Sequence, residues 1–250
     1  MLIALLSDIH ANLQALEACL AHAASHQVQQ YAFLGDMVGY GANPNEVIDR
    51  IRQLAEQGAW VLQGNHDEMA ISPPQEVKTI GQITAAWTHS QLSAEQRQWL
   101  FRLPLTHQMG NTLVVHASAN EPHLWHYIYD ERSALASLDA AADWPDVHYV
   151  FNGHVHLQTL YYRGAGQSLM PFKPQSGVPV HVPRHRQWLG TVGSVGQPRD
   201  GNVKAMYCLF DTERAQVTFF RVPYDHCAAA DAIRRTDLPS FFADRLEVGI

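Results

Sequence analysis

Short apolar runs alternate with amphipathic stretches through residues 1–160, a rhythm that predicts strands separated by helices. Leu2-Ile3-Ala4-Leu5-Leu6 reads as a buried strand. Leu13, Leu16, Leu20 and Val28 then flank an alanine-rich helix with Asn12 at its N-cap. A second strand over 30–34 leads into the turn Gly39-Tyr40-Gly41. Asn43-Pro44 opens a helix that carries Val47, Ile48, Ile51 and Leu54 on one side and closes at Gly58. A third strand covers 59–62. Residues 72–100 read as helical cover, with Ser93 and Gln96 spaced as a capping box. Two strands, 103–108 and 112–115, meet at Gly110-Asn111, and an alanine-rich helix runs to about residue 142. After Tyr149-Val150-Phe151 the pattern turns to β-structure at 157–162 and 188–194, with a hairpin of 205–210 and 216–222. A last helix spans 225–235. Residues 164–183 are punctuated by Gly and Pro, and the tail beyond 235 carries no signal.

The polar clusters fall where the strands end. Ser7-Asp8-Ile9-His10 follows the first, Gly35-Asp36 the second and Gly64-Asn65-His66-Asp67 the third. His116 follows Leu113-Val114-Val115, and Gly153-His154-Val155-His156 follows the run at 149–151. Open α/β sheets bind ligands at the carboxyl ends of their strands, so five strands would feed one site. Two carboxylates (Asp8, Asp36), four imidazoles (His10, His116, His154, His156) and the Asn65 amide form a nitrogen and oxygen donor set without thiolate. Such a set suits manganese, iron or zinc in an open geometry. Seven donors exceed what one ion with open positions needs; two ions about 3.5–4 Å apart, sharing a carboxylate, match the count. Taken singly, Asp8 or Asp36 is as readily the N-cap of the next helix, Asn65 a turn residue and His116 a satisfied core histidine.

Composition narrows the classes. With 250 residues, 46% hydrophobic and 16% charged, the chain is expected to form one domain over 1–250. A net charge of −7 argues against a broad electropositive face for duplex nucleic acid. Cys19, Cys208 and Cys227 lie far from every cluster and read as buried small hydrophobes in a reducing compartment. The first apolar run has no basic flank and is interrupted by Asp8, which fits neither a signal peptide nor a membrane span, so a cytoplasmic location is expected.

Together the motifs D-x-H, G-D, G-N-H-[DE], a lone H and G-H-x-H, in this order, resemble the calcineurin-like metallophosphoesterase superfamily. Asp8 to Asn12 and Gly35 to Gly41 are similar to its small bacterial and archaeal branch. The resemblance implies an α/β fold built as a four-layer α/β/β/α sandwich. It implies two divalent or trivalent ions drawn from manganese, iron, zinc or nickel. One would be held by Asp8, His10 and His156, the other by Asn65, His116 and His154, with Asp36 shared. A hydroxide between them would attack a phosphate mono- or diester, and His66 would protonate the leaving oxygen or hold the phosphate. Expected partners are small phosphorylated substrates or nucleotides, with phosphoproteins and dinucleoside polyphosphates as alternatives; the oligomeric state is open. A non-catalytic scaffold is the competing class, and intact motifs speak against it.

One departure stands out. Relatives often read G-D-x-x-D-R, where the second Asp orients the motif histidine and the Arg grips phosphate, but here Gly39 and Tyr40 occupy those places. Asp67 is a weaker candidate to orient His66, and Arg199, in a loop resembling the branch's G-S-x-G-x-P-R segment, a candidate to replace the missing Arg. Asn12 and Tyr40 are further substrate-contact candidates, though Asn12 suits a helix cap and Tyr40 packing. The aromatic stretch 122–129 reads first as partly buried irregular chain and second as an overhang of the cleft. His181, Arg184, His185 and Arg186 form a basic knot read first as a solvated hairpin face and second as a grip for an anionic substrate or a partner.

Overall fold

The computed structural model describes residues 1–77, 79–164 and 168–250. Strand β1 (Leu2–Leu6) is apolar throughout because both its faces are covered: Ala4 and Leu6 pack under helices, Ile3 and Leu5 against a second sheet. Strands β2 (Gln30–Phe33) and β3 (Trp60–Val61) extend from it in parallel register, with Leu6 opposite Phe33 and Phe33 opposite Val61. Helices α1 (Leu13–Ser25) and α2 (Pro44–Glu56) connect them and lay Leu16, Cys19, Leu20, Val47, Ile48 and Ile51 onto the outer face. This is the expected strand–helix alternation. The Asn12 side chain accepts from the Ala15 N–H at 3.1 Å, capping α1 as the sequence predicts.

The second sheet holds β4 (Thr106–Met109), β5 (Thr112–Val115), β6 (Tyr149–Asn152), β7 (Gln158–Arg163), β8 (Leu169–Phe172) and β10 (Trp188–Val192), in the order β4-β5-β6-β10-β7-β8. The first sheet is completed by β9 (Pro179–His181), β11 (Ala205–Asp211) and β12 (Gln216–Val222), in the order β3-β2-β1-β11-β12-β9. Between the sheets Tyr149 and Phe151 pack their rings 4.8 and 5.0 Å from Phe210. Alternation along β5 and β6 sends Val114, Tyr149 and Phe151 inward, and Leu113, Val115 and Val150 outward beneath α6 (Glu131–Ala140). Helix, sheet, sheet and helix give the four layers.

Four differences from the sequence expectation have local causes. Helix α3 (Asn65–Ile71) begins inside the Gly64-Asn65-His66-Asp67 motif, because the Asp67 carboxylate accepts from the Gly64 N–H at 2.9 Å and closes the first turn. The stretch 164–183 contains β8 and β9 at sheet edges, where a strand proline leaves no ladder bond unmade. The tail forms α8 (Phe241–Val248), packed on α7 (His226–Arg234), so it is a structural element. Cys227 is exposed near the start of α7, whereas Cys19 and Cys208 are buried as expected. The cover over 72–100 resolves into α4 (Ile80–Gln91) and α5 (Ala94–Phe101), the latter with the Ser93/Gln96 capping box. No described helix is long and apolar enough to cross a membrane.

Candidate metal centre

Strands β1, β2 and β3 run parallel, as do β5, β6 and β10, so the loops after them collect at one end of the sandwich. The loops zip to one another through backbone bonds. Asp8 N donates to Gly35 O at 3.1 Å, His10 N to Asp36 O at 3.0 Å, and Gly196 N to Asp8 O at 2.9 Å. Packing this close needs unusual backbone: Asp8, His10, Asp36, His154 and His156 all have φ between 48° and 69°, in the left-handed region. Conformations of this kind cost about 1–3 kcal/mol each and persist where the surroundings impose them. Gly153 is required for the same reason, since a Cβ there would lie 1.9 Å from Ser7 Oγ and 2.3 Å from Asp8 Oδ2.

Two buried groups result, Asp8–His10–His156 and Asp36–His116–His154, the donor atoms of each lying within 4.8 Å of one another. Asn65 joins the second, its Oδ1 3.2 Å from His116 Nε2. Asp36 Oδ2 stands between the groups, 3.8 Å from His10 Nε2 and 3.4 Å from His116 Nε2, while Oδ1 accepts from His66 N at 2.7 Å. Asp8 divides likewise: Oδ2 accepts from His154 N at 2.9 Å and Oδ1 faces His156 Nε2 at 3.2 Å. His10, His116 and His156 each turn Nδ1 to a backbone carbonyl, of Val38, Leu34 and Gln197, at 3.1, 2.7 and 2.6 Å. With Nδ1 as the donor, Nε2 is left a lone pair aimed inward, the orientation a metal ligand requires. His10 Nε2 and His156 Nε2 face each other at 3.1 Å, and His154 Nε2 is buried without a hydrogen-bond partner among the described residues. These unsatisfied nitrogens beside two carboxylates fit a pair of cations.

For His10 and His154 the electrostatics favour the same donor state. Burial pushes His10 well below its usual range and His154 down to about 3, so both are neutral donors. Burial also opposes ionisation of Asp8 and Asp36, yet the facing imidazoles, His156 for Asp8 and His116 for Asp36, hold both carboxyls low. His116 is the exception: burial acts downward, but Asp36 raises it to about 9, so its Nε2 carries a proton at neutral pH that a cation would have to displace.

A family model described as the calcineurin-like phosphoesterase superfamily domain matches residues 1–215. The chain belongs to the calcineurin-like phosphoesterase superfamily. A metallophosphoesterase of Sphaerobacter thermophilus, known from a crystal structure, is 34% identical, with 100% of this chain and 99% of that one covered and a TM-score of 0.87. An uncharacterized protein of Methanocaldococcus jannaschii is 32% identical over 254 residues, 99% of this chain and 98% of its own. A hypothetical protein of Pyrococcus horikoshii OT3 has the same fold at 20% identity, with a TM-score of 0.80 over 100% of this chain and 98% of that one. Membership makes the chain a phosphoester hydrolase by class.

Among the described residues, the surroundings of His66 lack a side-chain orienter. Its Nδ1 is buried without a hydrogen-bond partner among the described residues, and its ring lies 4.4 Å from Tyr40 and 5.1 Å from His10. Gly39, at φ +88°, stands at the second-Asp place of the G-D-x-x-D-R pattern, and a Cβ there would sit 2.8 Å from His66 Nδ1. Asp67 does not take over the task. Its carboxylate accepts from Met37 N, Val38 N and Gly64 N at 2.9, 3.2 and 2.9 Å, bracing the Asp36 loop against α3. Packing and the His66 N to Asp36 bond therefore position the imidazole, which burial holds at about 4.

The remaining candidates separate. Arg199 donates to Gln197 Oε1 at 2.9 Å and places its guanidinium 5.8 Å from the Tyr40 ring centre, beside the cleft. Asn12 spends its amide on the α1 cap and on donating to Gly196 O and Tyr224 Oη at 2.9 and 3.2 Å. Segment 122–129 does overhang the centre: Tyr127 stacks on His154 at 3.9 Å, Trp125 meets His116 edge-on at 5.7 Å, and Trp125 Nε1 donates to Glu68 of α3 at 2.9 Å. The cleft reading of that stretch is the one the geometry takes up. The basic knot lies before β10, at the end opposite the centre; there Arg184 donates to Thr212 O at 2.7 Å and Arg186 lies 5.3 Å from the Tyr162 ring centre. Sequence reasoning missed α8 altogether: Phe242 stacks on Tyr40 at 5.1 Å, and Phe241 and Arg245 line the cavity beside His66. Only the two adjacent phenylalanines and an arginine one turn later marked it, with nothing to connect them to the motifs.

Proposed function

We propose that the chain hydrolyses phosphate mono- or diesters of small molecules at a two-metal centre. Asp8, His10 and His156 hold one ion, Asn65, His116 and His154 the other, and Asp36 is shared between them. The observation that carries this reading is the place of Asp36 Oδ2, within 3.8 Å of an inward nitrogen from each group. When bound, such a pair supplies an activated water and neutralises phosphoryl charge. The chain's residues do the rest. The backbone carbonyls of Val38, Leu34 and Gln197 fix the imidazoles. His66, on the cavity wall, donates to the leaving or phosphoryl oxygen. Arg199, beside Tyr40, offers the cation that the Arg of G-D-x-x-D-R supplies in relatives.

The test is turnover of p-nitrophenyl phosphate and bis-p-nitrophenyl phosphate with and without added manganese, alongside metal analysis of the purified protein. Metal-dependent hydrolysis of either ester with two ions per chain is the expected result; no turnover of any phosphate ester overturns the proposal. Intact donors at all seven positions disfavour the scaffold alternative, because a scaffold has no need of strained left-handed backbone around inward-facing nitrogens.

A further inference from the structure

Residue 197 ties the last loop of the centre to the first. Its backbone oxygen accepts from His156 Nδ1 at 2.6 Å, and its N–H donates at 2.8 Å to Ser194 Oγ, which itself donates to Asp8 O at 2.8 Å. Pro198 follows with its ring-fixed φ, so a group held by the Gln197 side chain is held in register with the ligands. That side chain belongs to a residue only 1% exposed, and its Oε1 accepts from Arg199 Nη2 at 2.9 Å and from Nε at 3.3 Å. A guanidinium carries donors alone, which is why the amide turns its oxygen to it.

The acceptor is neutral, and this sets Arg199 apart. Arg50, Arg52, Arg163, Arg221 and Arg234 each pair with a carboxylate. No carboxylate of the described residues lies within ion-pair distance of Arg199, although Asp200 is the very next residue. Asp200 is taken: Arg221 of β12 donates to it twice, from Nη1 to Oδ1 at 3.0 Å and from Nη2 to Oδ2, with the two side chains 15% and 22% exposed. A two-pronged pair is directional and keeps that carboxylate turned toward β12. A carboxylate at position 197, or a released Asp200, would oppose the guanidinium charge at close range. An amide oxygen orients the guanidinium and leaves its charge in place.

We propose that Gln197 and Arg221 are positioning residues that keep the Arg199 charge free for phosphoryl oxygens, Gln197 by fixing the guanidinium through a neutral oxygen and Arg221 by drawing off the adjacent carboxylate. This rests on the phosphoesterase reading, in which Arg199 beside Tyr40 meets the phosphoryl group.

The test is calorimetric titration of the manganese-loaded full chain with inorganic phosphate, each protein first shown to melt cooperatively and to hold the wild-type number of ions. Gln197→Glu keeps the shape and the acceptor but adds a charge; Gln197→Leu removes the acceptor and adds none. Loss of a charge-assisted contact corresponds to roughly a tenfold weakening, the effect expected of Gln197→Glu, with Gln197→Leu milder. If the side chain were merely a structural acceptor, the order would reverse, because the glutamate keeps the hydrogen bonds and the leucine does not. Arg221→Gln is expected to weaken phosphate as well, and adding Asp200→Asn to it to restore most of the affinity. Should a variant at one position fail to fold, the pair at the other decides. Gln197→Leu costing as much as Gln197→Glu, or an Arg221→Gln loss that Asp200→Asn does not repair, overturns the proposal. Wild type that hydrolyses p-nitrophenyl phosphate or its bis ester while Arg199→Met binds phosphate equally well overturns it alone. Wild type that binds no phosphate and hydrolyses no ester overturns it together with the phosphoesterase reading.

Discussion

In the Asp8–His10–His156 group both imidazoles donate Nδ1 to backbone carbonyls and are at most 2% exposed. In the Asp36–His116–His154 group only His116 is tied in this way, while His154 is held by a ring stack on Tyr127, which is itself 45% exposed. The first group is pre-organised by hydrogen bonds within the core; the second leans on a surface aromatic. Pre-organisation lowers the ordering cost of binding, so equal donor counts do not imply equal affinities. The first position is therefore expected to hold its ion and the second to exchange it.

The largest effect tests what the groups share. Asp36→Asn is expected to lower turnover by about 10³-fold, the scale of removing a group that stabilises charge in the reacting complex, and to leave fewer than two ions per chain by elemental analysis. Retention of both ions and activity would remove the basis for a shared carboxylate. Next, His66→Ala should cost about 10²-fold in kcat with both ions retained, which separates the proton or hydrogen-bond donor from the ligands around it. The inequality itself is probed by Tyr127→Ala, which should weaken the second ion by about tenfold, as loss of a supporting contact does, and leave the first untouched. Equal loss of both ions during stepwise chelation of that variant and of wild type would contradict it. Smallest of all, Gly81→Leu places a side chain whose Cβ would begin 3.6 Å from His66 Cε1 and 3.7 Å from Tyr40 Oη. It should raise KM several-fold for bulky esters and change p-nitrophenyl phosphate little.

Both the alternation of β1 to α2 and the motif order were legible because they are local: an apolar run, then Asp8 and His10, needs only a handful of residues to be read. The hairpin of β11 and β12, the α1 cap at Asn12 and the N-terminal proline of α2 were legible for the same reason. What could not be read depends on distant partners. The strands at 169–172 and 179–181 form because sheet edges accept them, not because their own residues favour strands. The role of Asp67 is decided by backbone amides of residues 37 and 38, some thirty positions away. Arg245 and Phe241 gain meaning only once α8 folds against Tyr40. The absent Asp at Gly39 was visible, but its replacement by ring packing was not.

Strand β1 is flanked on one side by β2 and on the other by β11, with Leu2 opposite Asp211 and Leu5 opposite Cys208, and the loop after it accepts from Val195 N and Gly196 N. During synthesis, which proceeds from the N-terminus at about 5–20 residues per second, Asp8 and His10 emerge long before the segment that fixes them. A nascent chain therefore cannot close the loop that carries Asp8 and His10 until residues 195–196 and β11 have been made.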